Sequence, residues 1–115
     1  MAEVTRAPQV PTAAGSVPTV ISGMSSADTQ VIPNKNGDLI LRVINGGSET
    51  TKVTIVTPNE VGGNPIADRE VEVTAGATKI IGPFDKGTYN DLHGNLNVKF
   101  SKVTTVTLEI TEVKL

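Results

Sequence analysis

From Thr29 onward the chain is a succession of short runs in which apolar and polar residues alternate, and this alternation constrains the fold more than any other feature. Successive side chains of an extended strand point to opposite faces, so a period of two marks a strand with one buried and one wet face. In "REVEVTA", Arg69–Ala75, Val71 and Val73 fall inward and Glu70 and Glu72 outward. "TKVTIVTP", from Thr51, sets Val53 and Ile55 against Lys52 and Thr54. "NLNVKFS", from Asn95, sets Leu96, Val98 and Phe100 against Asn95, Asn97 and Lys99. "TVTLEITEV", from Thr105, sets Val106, Leu108 and Ile110 against Thr107, Glu109 and Thr111. "DLILRVIN", Asp38–Asn45, carries Leu39, Leu41 and Val43 in a nearly continuous apolar run, as expected of a central strand buried on both faces. "TKIIGPF", after the tight turn "AGA", adds a strand with Ile80 in the core. β-branched residues dominate these runs, and no window shows the i, i+3, i+4, i+7 recurrence of an amphipathic helix.

The expected architecture is all-β: a single β-sandwich of about seven strands, Ig-like or jelly-roll-like, with the strand order left open. A chain of 115 residues suits one such domain, placed at residues 23–115. Residues 1–22 differ. Pro8, Pro11 and Pro18 fix φ and withhold backbone donors, so this stretch is extended, while Val4, Val10, Val17 and Val20 make it too apolar for a solvated linker. It reads either as a disordered terminus or as an arm that pairs with another subunit, and its valines favour the arm. The long segment "NEVGGNPIADR", Asn59–Arg69, holds Val61, Gly62, Gly63, Asn64 and Pro65 and cannot be an interior strand. The simpler expectation for it is a crossover between the two sheets; the sharper one is a contact loop.

Chemistry is sought in "GPFDKGTYNDLHGNLNVKF", Gly82–Phe100, which contains the only His, the only Tyr and both Phe residues. His93 with Asp91 or Asp85 would need an activated nucleophile, but the chain has no Cys and no Gly-x-Ser-x-Gly elbow. Asp85, Asn90, Asp91 and Asn95 offer oxygens to calcium, yet the spacing is not that of an EF-hand and supplies two carboxylates. A turn explains the segment with less. Asn, Asp and Gly tolerate left-handed backbone, Pro83 ends the preceding strand, and Phe84 and Tyr89 cover an open end of the core, with the Tyr hydroxyl bonded to nearby backbone. No catalytic residue, cofactor or metal is assigned. Lys and Arg total 10 against 12 acids, which leaves no cationic surplus for nucleic acid. No apolar run reaches the ~20 residues that span a bilayer, and the N-terminus lacks a signal-peptide core, so synthesis in the cytoplasm is expected.

In order along the chain, "VIPNKNGDLILRVINGG", "TPNEVGG", "VTAGATKIIGPF", "YNDLHG" and "VKFSKVTTVT" resemble a family of small head-associated structural proteins of tailed bacteriophages, the capsid decoration or cement proteins. The likeness covers about Val31 to Ile110 and leaves the N-terminal segment outside. Each motif alone is a turn signature, so the specificity lies in their order. The resemblance implies a virion structural protein on the capsid exterior, with the major capsid protein as partner and no catalytic residues. A trimer is expected by analogy with lattice three-fold positions. Two other classes stay open. A head–tail joining or tail protein would form rings and stack through a hairpin. An Ig-like glycan- or host-surface-binding module fits the sandwich but not the lack of Trp and the single Tyr.

Overall fold

The computed structural model describes residues 3–112 except 16, 18, 36, 59, 62, 63 and 66. In chain order the strands are β1 (Glu3–Thr5), β2 (Val20–Ile21), β3 (Thr29–Pro33), β4 (Leu39–Asn45), β5 (Thr51–Ile55), β6 (Glu60–Val61), β7 (Asn64–Pro65), β8 (Arg69–Val73), β9 (Thr78–Ile81), β10 (Asn95–Phe100) and β11 (Val106–Glu112). The single helix among the described residues is α1, Lys86–Tyr89. A five-stranded sheet in the order β1-β3-β10-β5-β8 packs on a four-stranded sheet in the order β2-β11-β4-β9, and β6 and β7 form a separate two-stranded ladder. The protein is therefore a two-sheet β-sandwich with almost no helix.

The alternating residues build the layer between the sheets. From the larger sheet come Ile32, Leu96, Val98, Phe100, Val53, Ile55 and Val73. From the smaller come Leu39, Leu41, Val43, Val106, Leu108, Ile110 and Ile81, and these fourteen side chains are at most 7% exposed. Val71 packs against this layer but is half-buried, because β8 is an edge strand.

Three expectations are corrected. Ile80 is 71% exposed, and its neighbour Ile81 takes the core position. A strand places one of two adjacent residues inside, and the pairing of β9 with β4 decides which: Ile81 sits opposite buried Leu41, and Ile80 opposite exposed Arg42. β4 is not buried on both faces. Its outer face holds half-buried Ile40 and Ile44 beside exposed Arg42, which lies 3.6 Å from Glu109 of β11. The segment between β5 and β8 is no crossover, because the two strands are antiparallel neighbours in one sheet. It is an elongated hairpin with the β6–β7 ladder near its tip, and the Thr57 N–H donating to Asp68 Oδ1 at 2.8 Å closes its base.

The chain passes between sheets at the β8–β9 turn, and buried Asn45 holds that passage. Its Nδ2 donates to Val73 O at 2.9 Å and Glu49 O at 2.8 Å, and its Oδ1 accepts from Gly47 N–H at 3.0 Å. Its backbone accepts from Gly76 N–H at 2.7 Å and donates to Ala77 O at 2.9 Å. Every polar atom of a side chain that is 1% exposed is thus paired.

Of residues 1–22, expected as an arm along a neighbouring subunit, Glu3–Arg6, Gln9 and Val20–Ile21 pair here with their own chain. β1 runs parallel to β3, with Glu3 opposite Thr29, and Arg6 N–H donates to Val31 O at 2.8 Å. The segment then changes sheets. Gln9 N–H donates to Ile110 O at 2.9 Å, Glu112 N–H donates to Gln9 O at 2.8 Å, and β2 pairs antiparallel with β11. The Gln9 side chain locks the return: Nε2 donates to Val17 O at 2.6 Å, and Oε1 accepts from Thr19 N–H at 2.8 Å. Short extended pieces between prolines suit an edge, because a sheet edge needs pairing on one side only.

Replacing Asn45 by Ala leaves two carbonyls and an N–H unpaired and is expected to cost about 2–4 kcal/mol. Ile80→Thr is expected to change stability by no more than about 0.5 kcal/mol. Chemical denaturation of both variants checks the pair.

Candidate functional site

The segment that holds the His and Tyr is a capped connection between β9 and β10. Gly82 opens it at φ +130°, where a Cβ would lie 2.6 Å from Leu39 O, so a side chain is excluded by both conformation and contact. Phe84 drops into the core at 2% exposed. Asp85 caps α1, its Oδ2 accepting from Thr88 N–H at 3.1 Å and Thr88 Oγ1 at 2.9 Å. Tyr89 stands edge-on to Phe84 with ring centroids 5.5 Å apart. A backbone partner is expected for its hydroxyl from the sequence; the hydroxyl instead accepts from Arg69 Nε at 3.0 Å. Asn90 and Asn34 exchange bonds across the same end: Asn34 Nδ2 donates to Asn90 Oδ1 at 2.8 Å, and Asn90 Nδ2 to Asn34 O at 2.8 Å.

Asp91 organises the following turn. Oδ1 accepts from His93 N–H at 2.8 Å and Asn95 N–H at 3.0 Å, and Oδ2 from Asn97 Nδ2 at 3.0 Å. Burial pushes this carboxyl up. The bonds from Asn97, Asn95 and His93, with the His93 charge, outweigh that push and hold it below the ordinary value of 3.8. His93 itself is exposed. Of the four residues weighed for calcium, Asp85 caps the helix, Asn90 pairs with Asn34, and Asp91 organises the turn that Asn95 enters by its backbone N–H; no group of three or more His, Asp or Glu converges among the described residues.

The other expected contact residues separate into distinct places. In the N-terminal segment Val4 and Pro8 are half-buried and Pro11 is exposed. Val10, Val17 and Val20 are 40%, 85% and 53% exposed. Pro18 lies outside the described residues. Of the loop, Val61, Asn64 and Pro65 take part in the β6–β7 ladder, with Val61 opposite Asn64, while Gly62 and Gly63 lie outside the described residues.

The sequence did not single out a groove of about 360 Å³ on the side of the sandwich opposite the N-terminal segment. Its walls are the free edges of β8 and β9. Val71, Ile81 and Phe84 supply apolar surface, Arg69 and Lys79 are its charged members, and Tyr89 and Pro83 close one end. Both of its charged residues are cations, in a chain of net charge −2. The backbone of the two edges follows from strand alternation. Ser101 N–H donates to Lys52 O, so Lys52 faces β10, and Val53 bonds its β8 partner Val71. Glu70 and Glu72 therefore turn their N–H and C=O groups off the sheet. Asn45 bonds Ala77 at the β9 side of β4, so Lys79 and Ile81 bond β4, while Thr78 and Ile80 present theirs outward.

Comparison of the chain with protein-family models, with curated proteins and with solved structures returned no match.

Asp91→Asn is expected to lower stability at pH 7 by about 1–2 kcal/mol, since the charge that three donors address is lost. The folded carboxyl has the depressed pKa, so its contribution is complete above the ordinary value of 3.8 and is lost as pH falls through the folded value. Denaturation curves of the two proteins should converge as pH drops below about 4.

Proposed function

We propose that this protein works by what it touches and not by transforming a molecule: a virion structural protein that decorates the exterior of a phage head, contacts the major capsid protein and stabilises joints between capsomers. The ordered motifs from Val31 to Ile110 support this reading, and the structure gives several of them turn and cap roles. The carrying observation is the N-terminal segment. Of the five exposed large apolar residues among those described, Val10, Val17 and Val20 belong to it, and Ile80 and Leu92 lie elsewhere. A segment that already pairs with its own sheets, yet turns valines to solvent, offers a second surface with apolar contact to give. Binding an assembled lattice in preference to free subunits stabilises that lattice by mass action, and the effect is repeated at each equivalent site.

One observation favours a second reading, a head–tail joining or tail structural protein: the β5–β8 connection carries the β6–β7 hairpin, a shape suited to contacts between neighbouring subunits in a ring. Copy number per particle separates the two readings. Coverage of the whole shell supports decoration, whereas a single ring at one vertex or along a tail supports joining.

The test is co-sedimentation of the purified chain with heads of the encoding phage that lack it. Saturable binding and a raised thermal disruption temperature of the heads are expected. The triple variant Val10→Ser, Val17→Ser, Val20→Ser should keep the melting temperature of the isolated protein and bind at least about tenfold more weakly. Absence of binding by the unaltered chain overturns the decoration reading.

A further inference from the structure

We infer that the open side of the sandwich, between β8 and β9, is a docking groove for an extended acidic segment of a partner protein, which adds to β9 as a further strand. The inference does not depend on the capsid reading; it rests on four properties of one surface.

The backbone is available. Thr78 and Ile80 point their N–H and C=O groups off the free edge of β9, the arrangement an incoming strand pairs with. The other side of the sandwich shows how this fold covers such edges. There a Pro-containing extended segment crosses from β3 to β11 and bonds to both sheets. Among the described residues no segment of the chain does the same for β8 and β9.

The side chains select the occupant. Ile80 stands 71% exposed on this edge, ready to pack on an apolar residue of an added strand. On the opposite, inward face of this edge, Lys79 and Ile81, with Arg69 and Val71 of β8, border a volume of about 360 Å³ that accepts the alternate side chains of such a strand. Arg69 and Lys79 flank that surface, and no carboxylate pairs with either among the described residues. Arg69 is aimed by its bond to the Tyr89 hydroxyl at 3.0 Å, so its guanidinium is held at the groove wall. An added strand that alternates carboxylates with apolar residues therefore sets its carboxylates against Arg69 and Lys79 on the inward face and its apolar residues against Ile80 on the outer one.

Lysine on a sheet edge is also a device against unwanted pairing. Ile80 distinguishes the two roles, since an edge guarded against pairing has no use for a solvent-exposed isoleucine beside free backbone groups.

The probe is a fluorescein-labelled octapeptide of alternating Val and Glu, with its Val/Lys counterpart as control, followed by fluorescence anisotropy on the full chain. The acidic peptide should bind at least about tenfold more tightly than the basic one. Lys79→Glu should reverse or abolish that preference. Ile80→Pro deletes an outward N–H without removing a bond to β4, and should weaken binding at least about tenfold with the melting temperature retained. Thr78→Pro repeats this at the other outward donor if Ile80→Pro proves unstable. Equal binding of both peptides, or binding unchanged by loss of the outward donors, overturns the proposal. So does concentration-dependent dimerisation that the same proline blocks, since the groove would then serve a second copy of this chain.

Discussion

A two-sheet sandwich has four strand edges, and each is a row of unpaired backbone groups. That constraint organises this molecule. The apolar layer between the sheets follows from period-two sequence, and burying it stabilises almost any stacking of these strands. What the layer does not settle is how the sheets end. On one side the first twenty or so residues settle it by crossing from β3 to β11, so that two fuller strands are capped by pieces of three and two residues. On the other side no strand among the described residues covers β8 or β9.

The polar interior reinforces this division. Asn45 uses both amide hydrogens and its oxygen to fix the turn by which the chain leaves β8 for β9. That turn keeps the two free edges side by side. At the far end of the groove the Phe84–Tyr89 contact and the Arg69–Tyr89 bond hold the rim together. The carboxylates weighed beside His93 belong to this scaffold: Asp85 caps a short helix, and Asp91 fixes the turn into β10.

Much of the body was legible in the sequence, because strands with one wet face announce themselves. Val53, Ile55, Leu96, Val98, Leu108 and Ile110 alternate with polar residues, and each is buried. Legibility failed where a local pattern needed a distant partner to be read. "TKII" offers two adjacent isoleucines, and only the register with β4 shows that Ile81 goes in and Ile80 out. β1 and β2 are too short and too rich in neighbouring proline to signal strands; they exist because the edges of β3 and β11 are there to receive them. The hairpin after β5 looked like a crossover because loop length does not reveal whether its ends share a sheet. The groove had no local signature, since Arg69 and Lys79 meet only after the β8–β9 turn has passed between layers.

Amide hydrogen exchange on the isolated chain, resolved residue by residue by NMR, tests the asymmetry between the two sides most directly. Within β9 the account predicts alternation: Thr78 and Ile80 exchange at least about a hundredfold faster than Lys79 and Ile81, while Arg6 and Gln9, bonded to Val31 and Ile110, are protected. Uniformly slow exchange along β9 would show that this edge is already covered, and fast exchange at Arg6 and Gln9 would show that the opposite side is not closed; either result contradicts the account.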